Sequence, residues 1–292
     1  MQKTILPVLA VLILLNAGCD DRFLAKIGNA KAQYNLGLMY YQGEGVPLDY
    51  KEAAKWFRLA AEKGDANAQF CLGGMYYAEE VVPQDYKEAV KWLRLSAEQG
   101  NASAQSFLGL MYYKGERVLQ DYKEAAKWYR LAAEQGDATA QFSLGLMYQN
   151  GKGFPPNNKE AEKWFRLAAE QRDATAQFNL GAMYYNGNGI PQNKYEAARW
   201  YRLAAGRGNA DAQCILGAMY YDGEGVPLDY KEAAKWFWLA AEQGNVAAQV
   251  ALGLMYAEGK GVPKNREEAV KWYRLAAAQG NAAARQALQA LE

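Results

Sequence analysis

The sequence contains no histidine. That absence removes the usual general base and the commonest metal ligand. It excludes Ser-His-Asp and Cys-His catalytic arrangements, and every zinc site that needs a histidine. A charge excess is also missing: the 292 residues carry 33 basic and 32 acidic side chains. Lys3 is the one charged residue of the first 18, so the rest of the chain is neutral. Nucleic-acid binding needs a clustered basic field, which a neutral body does not supply. Cysteine is scarce, with only Cys19, Cys71 and Cys214. No residue pattern asks for a cofactor or a metal. Apolar residues, by contrast, make up 51% of the chain. That is enough for a continuous core and argues against disorder.

Lys3 is followed by an apolar run from Ile5 to Leu15, broken only by Pro7, and then by Asn16-Ala17-Gly18-Cys19. A charged start, a short apolar centre and small residues at a cut site predict a secretory signal peptide over 1–18. The run is too short to span a bilayer stably as a helix. Its ending resembles the bacterial lipoprotein signal. That resemblance implies lipidation of Cys19 as the new first residue, and hence a membrane anchor. Ala17, Gly18 and Cys19 fit the pattern, whereas Asn16 stands where an apolar residue is usual. Cleavage after Ala17 is the alternative. The expected location is the bacterial cell envelope, periplasmic or membrane-anchored, with secretion as the other route.

Self-comparison sets the architecture. Gln33, Gln69, Gln105, Gln141, Gln177, Gln213 and Gln249 recur every 36 residues without insertion or deletion. Met39 and Trp56 head two further series with the same period. Seven copies follow: 29–64, 65–100, 101–136, 137–172, 173–208, 209–244 and 245–280. Residues 19–28 read as a short linker and 281–292 as a C-terminal capping helix. Positions are numbered below by copy one.

Each copy reads as two helices. Asn29 is placed to cap helix A, predicted over 30–42, with Ala32, Leu36, Met39 and Tyr40 at helical spacing. Gly43-Glu44-Gly45-Val46-Pro47 ends it. Asp49 opens helix B with Glu52 at capping-box spacing, and Gly64 closes it. A hairpin of this kind cannot bury its own apolar face, so the copies must stack. Gly37 and Ala32 keep helix A thin, and Trp56 and Phe57 fill the space between layers. The fold class is therefore all-α, an α/α superhelical solenoid of seven 36-residue helix-turn-helix repeats with a C-terminal cap. Cys71 and Cys214 lie four repeats apart. Helix layers about 8–10 Å thick put them far beyond the roughly 7 Å a disulfide allows. They read as small apolar fillers.

The run Ala-x-Ala-Gln-x-x-Leu-Gly-x-Met-Tyr, then Gly-x-Gly-Val-Pro, then Glu-Ala-x-Lys-Trp-x-Arg-x-Ala-Ala-x-x-Gly resembles the Sel-one-like repeat, a relative of the tetratricopeptide repeat. The match covers 29–280. The resemblance implies a right-handed superhelix with helix A on its concave side, and an adaptor or scaffold role. One branch of the family, linked to β-lactam hydrolysis, has paired cysteines in each repeat; only two repeats here carry even one. The family offers no general catalytic residues, and the chain reads as a non-enzyme whose partner is a protein or peptide. A secreted effector engaging host proteins is the second reading. A carboxylate-based hydrolase is the third; it would need two convergent carboxylates, whereas these are evenly spaced.

The copies also differ in a patterned way. Positions 30, 32, 33, 36, 37, 39 and 40 barely change, while 31, 34, 35, 38, 41 and 42 vary and share one helix face. A ligand groove is expected at 31, 35, 38 and 42, with 34 nearer the core. Position 41 is tyrosine in five copies, read either as groove or as core. The candidate partner-binding residues are Asn35, Tyr77, Phe107, Tyr113, Lys114, Tyr185, Tyr221 and Trp238. The last replaces a helix-B arginine at position 58. The other arginines there read as a solvated face pairing with Glu62 and its equivalents. Three places lack an expected glycine. Copy two has Glu79-Glu80-Val81, copy three has Arg117, and Arg172 stands at the end of copy four. Without glycine, another loop shape is expected.

Overall fold

The computed structural model describes residues 21–78 and 85–291. All the regular structure described is helical. Helix α1 (Asp21–Lys26) precedes copy one. The A helices are α2 (Ala30–Gln42), α4 (Ala66–Tyr77), α6 (Ala102–Lys114), α8 (Ala138–Asn150), α10 (Ala174–Asn186), α12 (Ala210–Asp222) and α14 (Val246–Glu258). The B helices are α3 (Tyr50–Glu62), α5 (Tyr86–Glu98), α7 (Tyr122–Glu134), α9 (Asn158–Glu170), α11 (Lys194–Gly206), α13 (Tyr230–Glu242) and α15 (Arg266–Ala278). Helix α16 (Ala282–Leu291) ends the chain. The chain divides into two compact units, Met1–Ala140 and Gln141–Glu292, each built from stacked helix pairs.

Local chemistry sets the helix ends. The Asn29 side chain accepts from the Ala32 N–H at 2.9 Å, and Asp49 Oδ1 accepts from Lys51 and Glu52 at 2.9 and 3.0 Å. Each such cap satisfies an amide with no partner inside the helix. Gly43 takes φ 75° and donates to the Met39 carbonyl, which ends helix A. The Asp49 N–H then donates to the Tyr40 carbonyl at 2.9 Å, tying the start of helix B back to the end of helix A. The same bond recurs from Asp121 to Tyr112 and from Asp229 to Tyr220.

Packing explains the constant residues. A Cβ on Gly37 would lie 2.7 Å from the Phe57 ring, and one on Gly145 equally close to Phe165. Helix B can approach helix A this closely only because position 37 has no side chain. Phe57 and Phe165 are fully buried, each worth about 1.5–3 kcal/mol of transfer free energy. The position-33 glutamines are buried too. Gln69 Nε2 donates to the Ala61 carbonyl at 3.1 Å, and Gln69 Oε1 accepts from Gln99 Nε2 at 2.7 Å. That amide pair holds the two ends of a copy together and leaves no buried polar atom of Gln69 unpaired.

Four features depart from the sequence reading. Arg117 and Arg172 adopt φ 68° and 72°, so copy three's loop and the end of copy four keep the left-handed backbone instead of another shape. The stacked helices dictate that conformation. In copy three the Arg117 guanidinium also lies 4.1 Å from the Tyr86 ring centroid, a cation–π contact that offsets part of the strain. Copy two's loop, 79–84, lies outside the described residues. Secondly, Arg58 does not serve a pair with Glu62. It donates to the hydroxyl of Tyr76 in the next copy, as Arg94 does to Tyr112 and Arg202 to Tyr220. Helix-B ion pairs form instead between position 52 and position 55, as in Glu88–Lys91 at 2.9 Å, while Arg166 pairs one turn back with Glu162. Thirdly, the stretch taken as linker contains α1. Its Ala25 is buried and its carbonyl accepts from Gln33. Arg22, Ala25 and Gly28 stand 36 residues before Arg58, Ala61 and Gly64, a register match that marks half a copy. Lastly, Trp56 and Trp236 are only half-buried, whereas Trp128, Trp164, Trp200 and Trp272 are buried.

Candidate partner-binding surface

The variable face of helix A divides by burial. Positions 31 and 42 are exposed in every copy. Position 35 is half-buried throughout. Position 38 is half-buried except at Leu110 and Leu254. Position 34 lies on the core side: Tyr34, Phe70, Phe142 and Phe178 pack against the buried clusters. Burial pushes the thiols of Cys71 and Cys214 up to about 11, as suits apolar fillers.

In the first unit, the structure brings several candidates together around a residue the sequence reading passed over, Glu116. Tyr77 hydroxyl donates to Glu116 at 3.1 Å, and Lys114 pairs with the same carboxylate group at 3.4 Å. The Tyr77 ring meets Phe107 edge-on at 5.0 Å. Burial first, and then Glu116, raise the Tyr77 phenol above its ordinary pKa. Tyr113 packs edge-on against Tyr122 at 5.5 Å. Asn35 stands apart from this group, and its amide donates to Asp21 at 2.8 Å. Cys19 lies outside the described residues.

In the second unit the same tyrosine position is tied in the same way. Tyr185 hydroxyl donates to Glu224 at 2.7 Å, and Lys194 pairs with Glu224 at 2.7 Å. The hydrogen bonds from Lys194 and then from Tyr185 hold Glu224 below the usual carboxylate range. Tyr221 accepts from Lys260 at 3.2 Å, and its ring lies 5.1 Å from that of Tyr230. Position 41 is therefore neither plain groove nor core. The rings of Tyr77, Tyr185 and Tyr221 pack at the edge, and their hydroxyls bond position 44 of the next copy. The sequence signal for this was the charged residue that Glu116, Glu224 and Lys260 supply at a constant spacing of 39 from the tyrosine. Trp238 is 46% exposed on helix B and does not join the A-helix residues. The leucines at position 59 form a further exposed apolar row that the sequence reading left out, with Leu59 and Leu95 in the first unit and Leu203 and Leu275 in the second.

A cavity opens on the variable face, between copies one and two, with a volume of about 350 Å³. Tyr41 and Gln42 stand at its rim. Position 80, the counterpart of Glu116 for Tyr41, lies outside the described residues. Among the described residues, no group of three or more cysteines and carboxylates is placed to hold a metal ion. Among the same residues, no helix is long and apolar enough to cross a membrane.

The chain resembles several proteins of known structure. It is 39% identical to a Sel1 repeat protein from Oxalobacter formigenes, with a TM-score of 0.74 over 93% of this chain and 79% of that one. It is 38% identical to c5321, a protective antigen present in uropathogenic Escherichia coli strains that displays an SLR fold, with a TM-score of 0.75. That match covers 93% of this chain and 66% of c5321. No curated protein matches it. The model of the Sel1 repeat matches seven times, at 30–65, 66–101, 102–137, 138–173, 174–209, 210–245 and 246–281. Each match opens on the first residue of an A helix, and together they cover nearly all of the described structure. The chain therefore belongs to the Sel1 repeat family.

Proposed function

We propose that this protein is a non-catalytic scaffold or adaptor of the bacterial envelope that holds a protein or peptide through the variable face of its A helices. The observation that carries this reading is the contrast between faces. The buried positions repeat almost unchanged, while positions 31 and 42 are exposed in every copy and change from copy to copy. A surface that varies on a constant frame reads a ligand by many modest contacts. Tyr77, held by Glu116 beside Lys114, offers aromatic area of the kind favoured at interfaces.

The test replaces Tyr113 and Lys114 with Ala together. Circular dichroism checks that the helices remain, and affinity is measured for the partner recovered from envelope extracts. A loss of tenfold or more is expected, about 1.4 kcal/mol. A folded double variant that binds as wild type removes this surface. An equal loss from Lys123→Ala with Lys127→Ala would move the interface to helix B.

The envelope reading rests on the apolar N-terminal run and on Cys19. The similarity to a protective antigen of a bacterial pathogen supports it. Cys19→Ser is expected to move the protein from the membrane fraction to the soluble one. Wild-type protein found wholly in the periplasmic fraction would count against the lipid anchor. Wild-type protein found in the culture medium would favour the secreted effector.

A further inference from the structure

Position 38 is leucine in copies one, three, four and seven, and alanine in copies five and six. Copy two has Gly74 there. The helix in question, α4, also contains Gly73, and the two glycines differ sharply in their surroundings. A Cβ on Gly73 would lie 2.7 Å from the Leu93 side chain, so packing demands that glycine. A Cβ on Gly74 would meet nothing within 4 Å. Glycine is a poor helix former, and nothing among the described residues calls for it at 74. It lines the cavity of about 350 Å³.

The lining specifies an occupant. Phe57 and Met75 are buried and form the floor, and Leu38 and Phe70 are half-buried walls. Among the described residues, none that lines the cavity carries a charge at neutral pH. A charged ligand would be desolvated there without a counter-charge, whereas an apolar one would not. The volume is at the small end for a ligand site, closer to one large side chain than to a cofactor. The mouth bears the Tyr41 ring, 43% exposed, and the exposed Gln42 amide. The Gln42 amide can hydrogen-bond a polypeptide backbone lying across the mouth. The mouth also opens at position 42, on the exposed row of the A-helix face.

We infer that this cavity receives one large uncharged side chain, aliphatic or aromatic, from a bound polypeptide. The inference rests on the A-helix reading above and supplies that surface with an anchor. Side chains buried in a pocket at the centre of neutral contacts commonly dominate binding energy.

The test uses the full mature chain with ¹³C-labelled methionine methyl groups, the Met75 signal being assigned through Met75→Leu. N-acetyl-phenylalanine amide and N-acetyl-leucine amide serve as probes, with N-acetyl-glutamate amide as the charged control. The two apolar probes are expected to shift Met75, with the glutamate probe at least tenfold weaker. Gly74→Leu should abolish the shift while circular dichroism stays unchanged. Gly74→Ala, whose added methyl group meets nothing, should weaken it several-fold, and it guards against a leucine variant that fails to fold. The inference is overturned if neither apolar probe moves Met75, if both probes act equally on Gly74→Leu, or if the glutamate probe binds as well. A dimer that dissociates on Gly74→Leu would put a second copy of the chain in the cavity and would also overturn it. Failure here leaves the Tyr113 and Lys114 result untouched, so the pocket and the wider surface are judged separately.

Discussion

Copies five and six are neighbours in the second unit and share the same two-helix backbone, yet their buried polar chemistry differs. In copy six, Gln213 Nε2 donates to the Ala205 carbonyl at 3.0 Å, and Gln213 Oε1 accepts from Gln243 at 2.8 Å. In copy five, Gln177 Nε2 makes the same bond to Ala169 at 3.0 Å. Position 63 there is Arg207, however, and Gln177 Oε1 is buried with no partner. Copy one repeats the defect. Lys63 donates to Gly28, and Gln33 Oε1 is left alone. The entry to each copy differs as well. Gly208 supplies the left-handed residue before copy six, whereas Arg172 holds it before copy five. The backbone survives both losses because apolar burial sets it. Ala176, Leu180 and Met183 in copy five are as buried as Ala212, Leu216 and Met219 in copy six. Polar pairing refines the stability of each copy and does not choose its fold.

The comparison breaks most severely at the tryptophans. Trp200 of copy five is 4% exposed, while Trp236 of copy six is half-buried. Trp200→Ala is expected to cost roughly 3–5 kcal/mol, measured by urea denaturation, and Trp236→Ala clearly less. Equal losses would mean that burial at position 56 does not govern stability. Next in size is the glutamine pair. Gln243→Arg should strand Gln213 Oε1 and cost about 1–3 kcal/mol, and Arg207→Gln should gain about 1 kcal/mol by giving Gln177 its donor. If neither change moves the denaturation midpoint, water already serves that oxygen. The smallest effect is at the turn. Arg172→Gly should gain about 1 kcal/mol by removing left-handed strain, and Gly208→Arg should lose a similar amount. Unchanged melting for both would show that the stacked helices carry the strain without cost.

The order of helices, their caps and their buried faces were legible in the residues. A fixed period of 36 reports local geometry directly. Asn29 and Asp49 can cap only where a helix begins, and Leu36 and Gln33 recur only where a face is always covered. Half a copy at Arg22 to Gly28 was legible in the same register. Other features were decided by the tertiary structure, because they depend on distances between neighbouring copies, which no period contains. Arg58 meets Tyr76, and Tyr77 meets Glu116, only once stacking has set the helix spacing. The left-handed backbone at Arg172 was decided there too, since packed helices on both sides of a turn outweigh the preference of one residue. The cavity beside Gly74 is a difference between the volume that packing encloses and the volume that side chains fill. A sequence shows the missing side chain, but only the folded neighbours show that no described residue takes its place.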